Sequence, residues 1–116
     1  MKTKEYIIEF IQKQKVAFIA SVDEQGYPNM KAMFTPRKIE ENSFYFSTNT
    51  SSMRAQQFMK NPKASVYFYN KGRFKYEGIM LTGTMEKTYR KLREIFVENF
   101  LKLSLPFLSS LVYDST

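Results

Sequence analysis

The chain has 116 residues, 43% of them hydrophobic and 25% charged, so we expect one folded domain spanning residues 1–116. The absence of cysteine excludes disulfides and cysteine-based metal sites or catalysis. The absence of histidine removes the commonest general base and metal ligand, and it excludes Ser-His-Asp, Cys-His and His-zinc mechanisms. No run is long and apolar enough to span a membrane, so we expect a soluble, cytoplasmic protein.

The net charge is strongly positive. Lysine and arginine total 18 against 11 acidic residues, which gives a formal charge of +7. This excess is typical of proteins that bind nucleic acid, but it also suits a small phosphorylated ligand. Because the cations are spread along the chain and never form a dense block, the charge alone does not decide between these partners.

The first third of the chain predicts a helix followed by a β-hairpin. Thr3–Lys15 places apolar side chains at helical spacing, which favours an amphipathic helix packed on a core. Val16–Val22 is short and rich in branched residues, as expected of a buried strand. Asp23–Gly26 then supplies a turn, and Tyr27–Phe34 returns as the second strand.

The middle of the chain combines an aromatic strand, a run of polar side chains and a short helix. Phe44–Phe46 predicts the strand, after a hairpin turn at Glu40–Asn42. The polar run Ser47–Ser51 follows, and a helix begins near Ser52 with Arg54 in its first turn. A cation there opposes the helix dipole, and the conflict eases if the turn binds an anion such as phosphate. A polar surface loop with a solvated arginine remains the alternative.

The last part of the chain predicts further strands and a helix. Ala64–Tyr69 reads as a strand, and Phe74–Met85 reads as one long strand or two short ones. Gly78 and Gly83 mark bulges or points where another backbone or a ligand approaches closely. Thr88–Phe100 has helical spacing and predicts a helix. The order of elements predicts an α+β fold, a small antiparallel barrel of five or six strands with flanking helices.

The order of these motifs, from Val16 to about Phe96, resembles the pyridoxamine 5'-phosphate oxidase-like split-barrel flavoproteins. The short members related to general stress proteins and nitroimidazole reductases are the most similar. The most specific match is FYFSTNTSSMRAQQFMKNPKASVYFY, at Phe44–Tyr69. The other matches are a D-x-x-G-x-P turn, the strand after it and a glycine-bearing strand: Asp23, Gly26, Pro28, Lys31–Phe34 and Glu77–Gly83.

The resemblance implies an FMN cofactor held at a homodimer interface. Its phosphate contacts fall on basic and hydroxyl residues: Lys31, Ser47, Thr48, Ser52 and Arg54. Its isoalloxazine contacts fall on the strand after the hairpin turn: Ala32, Met33 and Phe34. Gly78 falls where some relatives have a polar flavin contact, and here it can contribute only backbone. The implied function is an oxidoreductase that passes electrons from a nicotinamide donor to a small acceptor; no catalytic residue and no metal site is assigned.

The C-terminal segment Glu98–Thr116 departs from the family, because it is strongly apolar and is interrupted by Pro106. Three interpretations stay open for it: a divergent final element, a swapped interface segment, or an altered form of a longer tail.

A competing function is a non-enzymatic module. It would be a flavin or haem-type binder for storage or sensing, or a small barrel that binds nucleic acid. The charge of +7 motivates the last version, together with aromatic residues that could stack on bases: Tyr67, Phe68, Tyr69, Phe74 and Tyr76. We rank it below the flavoprotein, because barrel strands normally place alternate aromatic residues in the core.

Overall fold

The computed structural model describes residues 3–47, 53–72, 76–92, 95–105 and 111–115. Within these ranges it has two helices, α1 at Lys4–Lys13 and α2 at Met53–Lys60. In the same ranges it has eight strands: β1 Val16–Val22, β2 Pro28–Phe34, β3 Lys38–Glu40, β4 Ser43–Ser47, β5 Lys63–Lys71, β6 Tyr76–Leu92, β7 Ile95–Ser104 and β8 Leu111–Ser115. Neither of these helices is long and apolar enough to cross a membrane.

The strands form one antiparallel sheet in the order β2-β1-β5-β6-β7-β4-β3, and β8 adds to β6. Strand β6 pairs with β5 along one edge and with β8 and β7 in succession along the other. The arrangement confirms the predicted α+β class, an antiparallel split barrel with flanking helices. In the described ranges the strands outnumber the five or six predicted, because β3, β7 and β8 add to those expected from the sequence.

An N-terminal cap and a buried apolar face stabilise helix α1. The hydroxyl of Thr3 accepts a hydrogen bond from the N–H of Tyr6 at 3.1 Å and caps the N-terminus. The buried residues Ile7, Phe10 and Ile11 recur at helical spacing. The predicted helix is therefore confirmed.

Two predicted hairpin turns are also confirmed. Gly26 has a φ of 88°, and its N–H donates to the carbonyl oxygen of Asp23 at 3.0 Å. Between β3 and β4, Glu41 adopts a φ of 50°, the left-handed conformation that a tight turn requires.

The core lies between the two helices and one face of the sheet, which we call the inner face. Along β1, β4 and β5 the buried side chains alternate with more exposed ones, as expected when one face of a strand packs on a core. The largest fully buried apolar side chains come from six elements: Ile11, Ile19, Phe46, Val66, Phe68, Ile79, Leu81, Met85, Leu101 and Leu103. The other face of the sheet, the outer face, is left for contacts beyond the core.

One predicted helix, Thr88–Phe100, is wrong. Its described residues lie in β6 and β7, which pair antiparallel. The segment fits a helix locally, but Leu101, Leu103 and Leu105 continue it with strict alternation, and all three are buried. β7 pairs with β6 along its length and with β4 from Phe100 to Ser104, so the tertiary context overrides the local pattern.

The described parts of the apolar C-terminal segment are strands. Residues 98–104 form the end of β7, and β8 pairs with β6 at Glu77–Leu81. Both strands pair within the chain, which supports a divergent final element among the three interpretations. The predicted interruption at Pro106 lies outside the described residues.

Gly83 is a point of close approach between two backbones. A Cβ atom at this position would collide with the carbonyl oxygen of Ser104 and lie 3.3 Å from the Cα of Leu105. The pairing of β5 with β6 passes through Gly83 without a register shift. Of the two interpretations of this glycine, a bulge or a close approach, the structure supports the close approach.

Replacement of Gly83 by alanine should lower the free energy of unfolding by about 1–3 kcal/mol, the usual cost of overpacking, because the collision is with backbone. Urea denaturation measures this loss. Thr84→Ala, at the exposed neighbouring position, is the control and should change stability by less than about 0.5 kcal/mol. Equal stabilities of the two variants would contradict the close approach.

Candidate functional site

Strand β2 carries the predicted contacts to the cofactor ring, and it lies at one end of the sheet. Its register with β1 gives four pairs: Lys31↔Ile19, Ala32↔Phe18, Met33↔Ala17 and Phe34↔Val16. The partners of Lys31 and Met33 are core residues, so these two lie on the inner face, where Met33 packs against the core. Ala32 and Phe34 lie on the outer face, and Phe34 is 76% exposed. The four predicted residues are thus adjacent but divided between two faces.

The turn before β2 is held by the carboxylate of Asp23. Its Oδ1 accepts from the N–H groups of Gln25 at 3.0 Å and Tyr27 at 2.9 Å, and its Oδ2 accepts from the Asn29 amide at 3.1 Å. The Tyr27 N–H, followed by the Asn29 amide, lowers the pKa of Asp23 below its ordinary value of 3.8. These bonds fix the conformation of the turn, and the turn sets the register of β2 against β1.

The stabilisation from Asp23 should depend on pH, because its pKa in the folded chain lies below that in the unfolded chain. The contribution is complete above the unfolded value and is lost as the pH falls through the folded value. Asp23→Ala should therefore lower the melting temperature at pH 7, and the difference from the parent protein should shrink as the pH falls below 3.8. Asp23→Asn keeps an acceptor oxygen and is the control, since it cannot titrate. A difference that stays constant down to pH 2 would refute this role.

Ser47, a predicted phosphate contact, ends β4, where it pairs with Phe100 of β7. In the β3–β4 hairpin Lys38 pairs with Tyr45, and the Arg37 N–H donates to the Tyr45 carbonyl at 2.8 Å. Lys38, the first residue of β3, follows Phe34, the last residue of β2, by four positions. The β3–β4 hairpin therefore begins close to the end of the strand that carries the predicted ring contacts.

The other predicted phosphate contacts are described only in part. Thr48 and Ser52 lie outside the described residues. Arg54 is the second residue of α2, with its side chain outside the described part of the chain. The first turn of this helix contains no acidic residue, so no carboxylate there competes for the N–H groups at its positive end.

Helix α2 is fastened to the β1–β2 hairpin. The buried hydroxyl of Ser21 donates to Oε1 of Gln57 at 2.5 Å. Lys60 forms an ion pair with Glu24 in the hairpin turn, and this contact lowers the pKa of the Glu24 carboxyl. The helix that follows the predicted phosphate turn is thus attached to the hairpin that carries the predicted ring contacts.

A cavity of about 690 Å³ opens on the outer face of β1, β2, β5 and β6. Its lining is mostly aromatic and methionine side chains: Phe18, Ala20, Met30, Ser65, Tyr67, Tyr69, Lys71, Tyr76 and Met80. Phe18 and Tyr69 stand with their ring centroids 6.4 Å apart. The register places Ala32 beside Phe18, so the outer-face half of the predicted ring contacts shares a face with this cavity.

Sequence reasoning did not find this cavity, although it contained a signal. In β5 the buried residues Val66 and Phe68 alternate with Ser65, Tyr67 and Tyr69, which therefore share the outer face. We predicted base stacking for these tyrosines and for Phe68, but Phe68 is fully buried. The cavity needs residues from four strands, and only the sheet order brings those together.

Gly78, the last predicted cofactor contact, lies under the phenol of Tyr67. Tyr67 pairs with Met80 and reaches diagonally to Gly78, the residue two positions earlier on β6. A Cβ atom at Gly78 would collide with the Tyr67 hydroxyl. The sequence predicted a bulge, or the close approach of a backbone or a ligand, at this glycine; the group that approaches it is instead a side chain of the same chain.

Three further ion pairs join charged side chains elsewhere in the described ranges. Ion pairs join Lys13 to Glu9 at 3.1 Å, Lys38 to Glu40 at 2.7 Å and Lys102 to Glu86 at 4.0 Å. Within the described ranges no group of three or more acidic side chains could hold a metal ion.

These features define a split-barrel protein with a cavity of mostly aromatic and methionine lining on its outer sheet face. The chain belongs to the pyridoxamine 5'-phosphate oxidase family, whose profile matches residues 3–102. The family expected from the sequence is confirmed.

Two curated relatives are named pyridoxine/pyridoxamine 5'-phosphate oxidase. The protein from Bartonella quintana is 27% identical over 96 residues, which cover 83% of this chain and 45% of that protein. The protein from Legionella pneumophila (strain Lens) is 39% identical over 51 residues, which cover 44% of this chain and 23% of that protein. The chain spans less than half the length of these relatives.

Three solved structures share the fold. A protein related to general stress protein 26 from Clostridium acetobutylicum has a TM-score of 0.72 at 24% identity, covering 97% of this chain and 90% of that one. An FAD-binding protein from Mesorhizobium loti has a TM-score of 0.74 at 10% identity, covering 99% and 95%. A heme storage protein from Vibrio cholerae has a TM-score of 0.67 at 17% identity, covering 97% and 94%.

Proposed function

We propose that this chain is an FMN-binding oxidoreductase that works as a homodimer. The observation that carries the proposal is the outer-face cavity of about 690 Å³, which is lined by Met30 of β2 and by Phe18, the pairing partner of Ala32. The family typically binds flavin, which supports the same conclusion.

The cavity suits a flat aromatic ring system. Its volume lies within the roughly 300–1,000 Å³ range of small-molecule sites, and its walls are aromatic rings and thioethers that pack well against a planar group. Bound flavin would supply the hydride and electron transfer between a nicotinamide donor and a small acceptor. The side chains of this protein need only bind, orient and exclude water, which agrees with a chain that lacks histidine and cysteine.

The phosphate would be held at the opposite end of the ligand, which would pass around β2 at the end of the sheet to reach the side on which α2 packs. We propose contacts from basic and hydroxyl groups: Lys31, Ser47, Thr48, Ser52 and Arg54. A guanidinium and several hydroxyls complement a phosphate, and the N-terminus of α2 adds the positive end of the helix dipole. The first turn of α2 contains no acidic residue, so no carboxylate there would repel the phosphate.

A second copy of the chain would cover the outer face. Four large apolar side chains on the strands of this face are exposed: Val16 at 41%, Met30 at 66%, Phe34 at 76% and Tyr69 at 44%. Contiguous apolar surface of this kind marks an interaction site, and a two-fold dimer buries the same patch on both copies. The ring would then lie between two protomers and be shielded from water.

Purified protein should take up FMN at micromolar concentration, seen as a flavin absorption spectrum that co-elutes on gel filtration. Arg54→Gln should weaken FMN binding about tenfold or more, since it removes a charge-assisted contact, but it should leave riboflavin binding unchanged. Lys13→Gln removes a cation from exposed α1 surface and serves as the control. Protein that remains colourless after addition of FMN would reject the proposal.

The dimer has its own test in Phe34→Asp, which places a charge in the proposed interface. We expect this variant to sediment as a monomer and to bind FMN more weakly than the parent protein. Met59→Asp, at a 64% exposed position on α2, is the matched control and should remain dimeric. If both variants behave alike, the outer face is not the interface.

The alternative is a non-enzymatic binder, and the fold shared with a heme storage protein favours its haem form. Titration with hemin separates the two functions, because a haem binder would develop a strong Soret band and would not oxidise a nicotinamide in the presence of FMN. Nucleic-acid binding ranks lower, since the tyrosines offered for stacking line the apolar cavity.

A further inference from the structure

The phenol of Tyr67 occupies space that only a glycine at position 78 leaves open. The Tyr67 ring is half-buried on the outer face, and a Cβ at Gly78 would lie 2.6 Å from its Cζ atom and still closer to its hydroxyl oxygen. Any side chain at position 78 would therefore displace the phenol. Gly78 determines where this hydroxyl stands.

Tyr67 is central among the strands that line the cavity, and its phenol reaches across β6 toward Gly78. Tyr67 lies on β5 between Phe18 of β1 and Met80 of β6, its partners in the sheet. The other polar lining residues on this strand, Ser65 and Lys71, are two and four positions away. At about 3.3 Å per residue their Cα atoms lie roughly 7 and 13 Å from that of Tyr67. Tyr67 therefore contributes a phenol hydroxyl between these two polar groups, in a lining that is mostly aromatic and methionine side chains.

A heteroaromatic ring in such a cavity needs this kind of group. Its carbonyl oxygens and ring nitrogens lose their water when they are buried, and each unpaired polar atom then costs free energy. A tyrosine hydroxyl can both donate and accept a hydrogen bond. It can therefore satisfy either kind of atom on the edge of the ring.

We propose that Tyr67 is a ligand-contacting specificity residue, whose hydroxyl bonds the polar edge of the flavin ring, and that Gly78 is the positioning residue that makes room for it. This inference rests on the proposed flavin function. It specifies which ligands the same site selects, namely planar heteroaromatic rings with a hydrogen-bonding edge. A purely structural role for Tyr67, in which the ring only covers a glycine across the sheet, is the competing explanation.

Tyr67→Phe separates the two explanations, because it keeps the ring over Gly78 and removes only the oxygen. Dissociation constants for FMN and for riboflavin, measured by flavin fluorescence, should both rise about tenfold, since one hydrogen bond to the ring is lost. The absorption maximum of the bound flavin should shift as well. Tyr27→Phe, at a 70% exposed position outside the cavity lining, should change neither quantity.

Gly78→Ala provides a second route to the same result. By displacing the phenol it should produce the same spectral shift and a similar loss for both flavins. If this variant fails to fold, as judged by circular dichroism, Tyr67→Phe alone decides the question.

Three results would overturn the proposal. FMN binding by Tyr67→Phe within twofold of the parent protein would leave the proposed function intact but exclude the hydroxyl contact. A loss for FMN without a loss for riboflavin would place the hydroxyl at the phosphate. Failure of the parent protein to bind either flavin would reject this inference together with the proposed function.

Discussion

The length of β6 is the constraint on which the rest of the structure depends. This strand, Tyr76–Leu92, pairs with β5 along one edge and with β8 and β7 along the other, so it joins both halves of the split barrel. Its two glycines stand where neighbours crowd it most: the Ser104 carbonyl at Gly83 and the Tyr67 phenol at Gly78. The first half of β6 presents the apolar outer face and its cavity, and the second half supports the strands that end at Ser47.

The local sequence pattern predicted the elements whose conformation is determined by neighbouring residues in the chain. Val16–Val22 matched the strand to the residue, because its alternation and its flanking turn are contained in the sequence itself. Thr88–Phe100 was wrongly predicted as a helix, because its apolar spacing fits the period of a helix or of a strand. Pairing with β6 and β4 selects the strand. The cavity could not be predicted for a related reason. It joins residues as far apart as Phe18 and Met80, and only the order of the strands makes them neighbours.

Family resemblance identified residues, and the structure adds their orientation. Lys31 to Phe34 were expected to act as a group, but the pleat of β2 turns Met33 toward the core and Phe34 outward. Only the outward half, Ala32 and Phe34, shares a face with the cavity, whereas Met33 packs against the core. In a chain with neither histidine nor cysteine the orientation of these side chains matters, because they can offer a cofactor little beyond positioning, charge and the exclusion of water.

The two contacts between α2 and the β1–β2 hairpin have a consequence for how an elongated ligand is held. Ser21 with Gln57 and Glu24 with Lys60 join α2 to the β1–β2 hairpin. In the proposed flavin site these contacts would hold the phosphate end and the ring end of the ligand at a set distance. Ligands of the matching length would then bind more tightly than fragments that carry only a ring or only a phosphate.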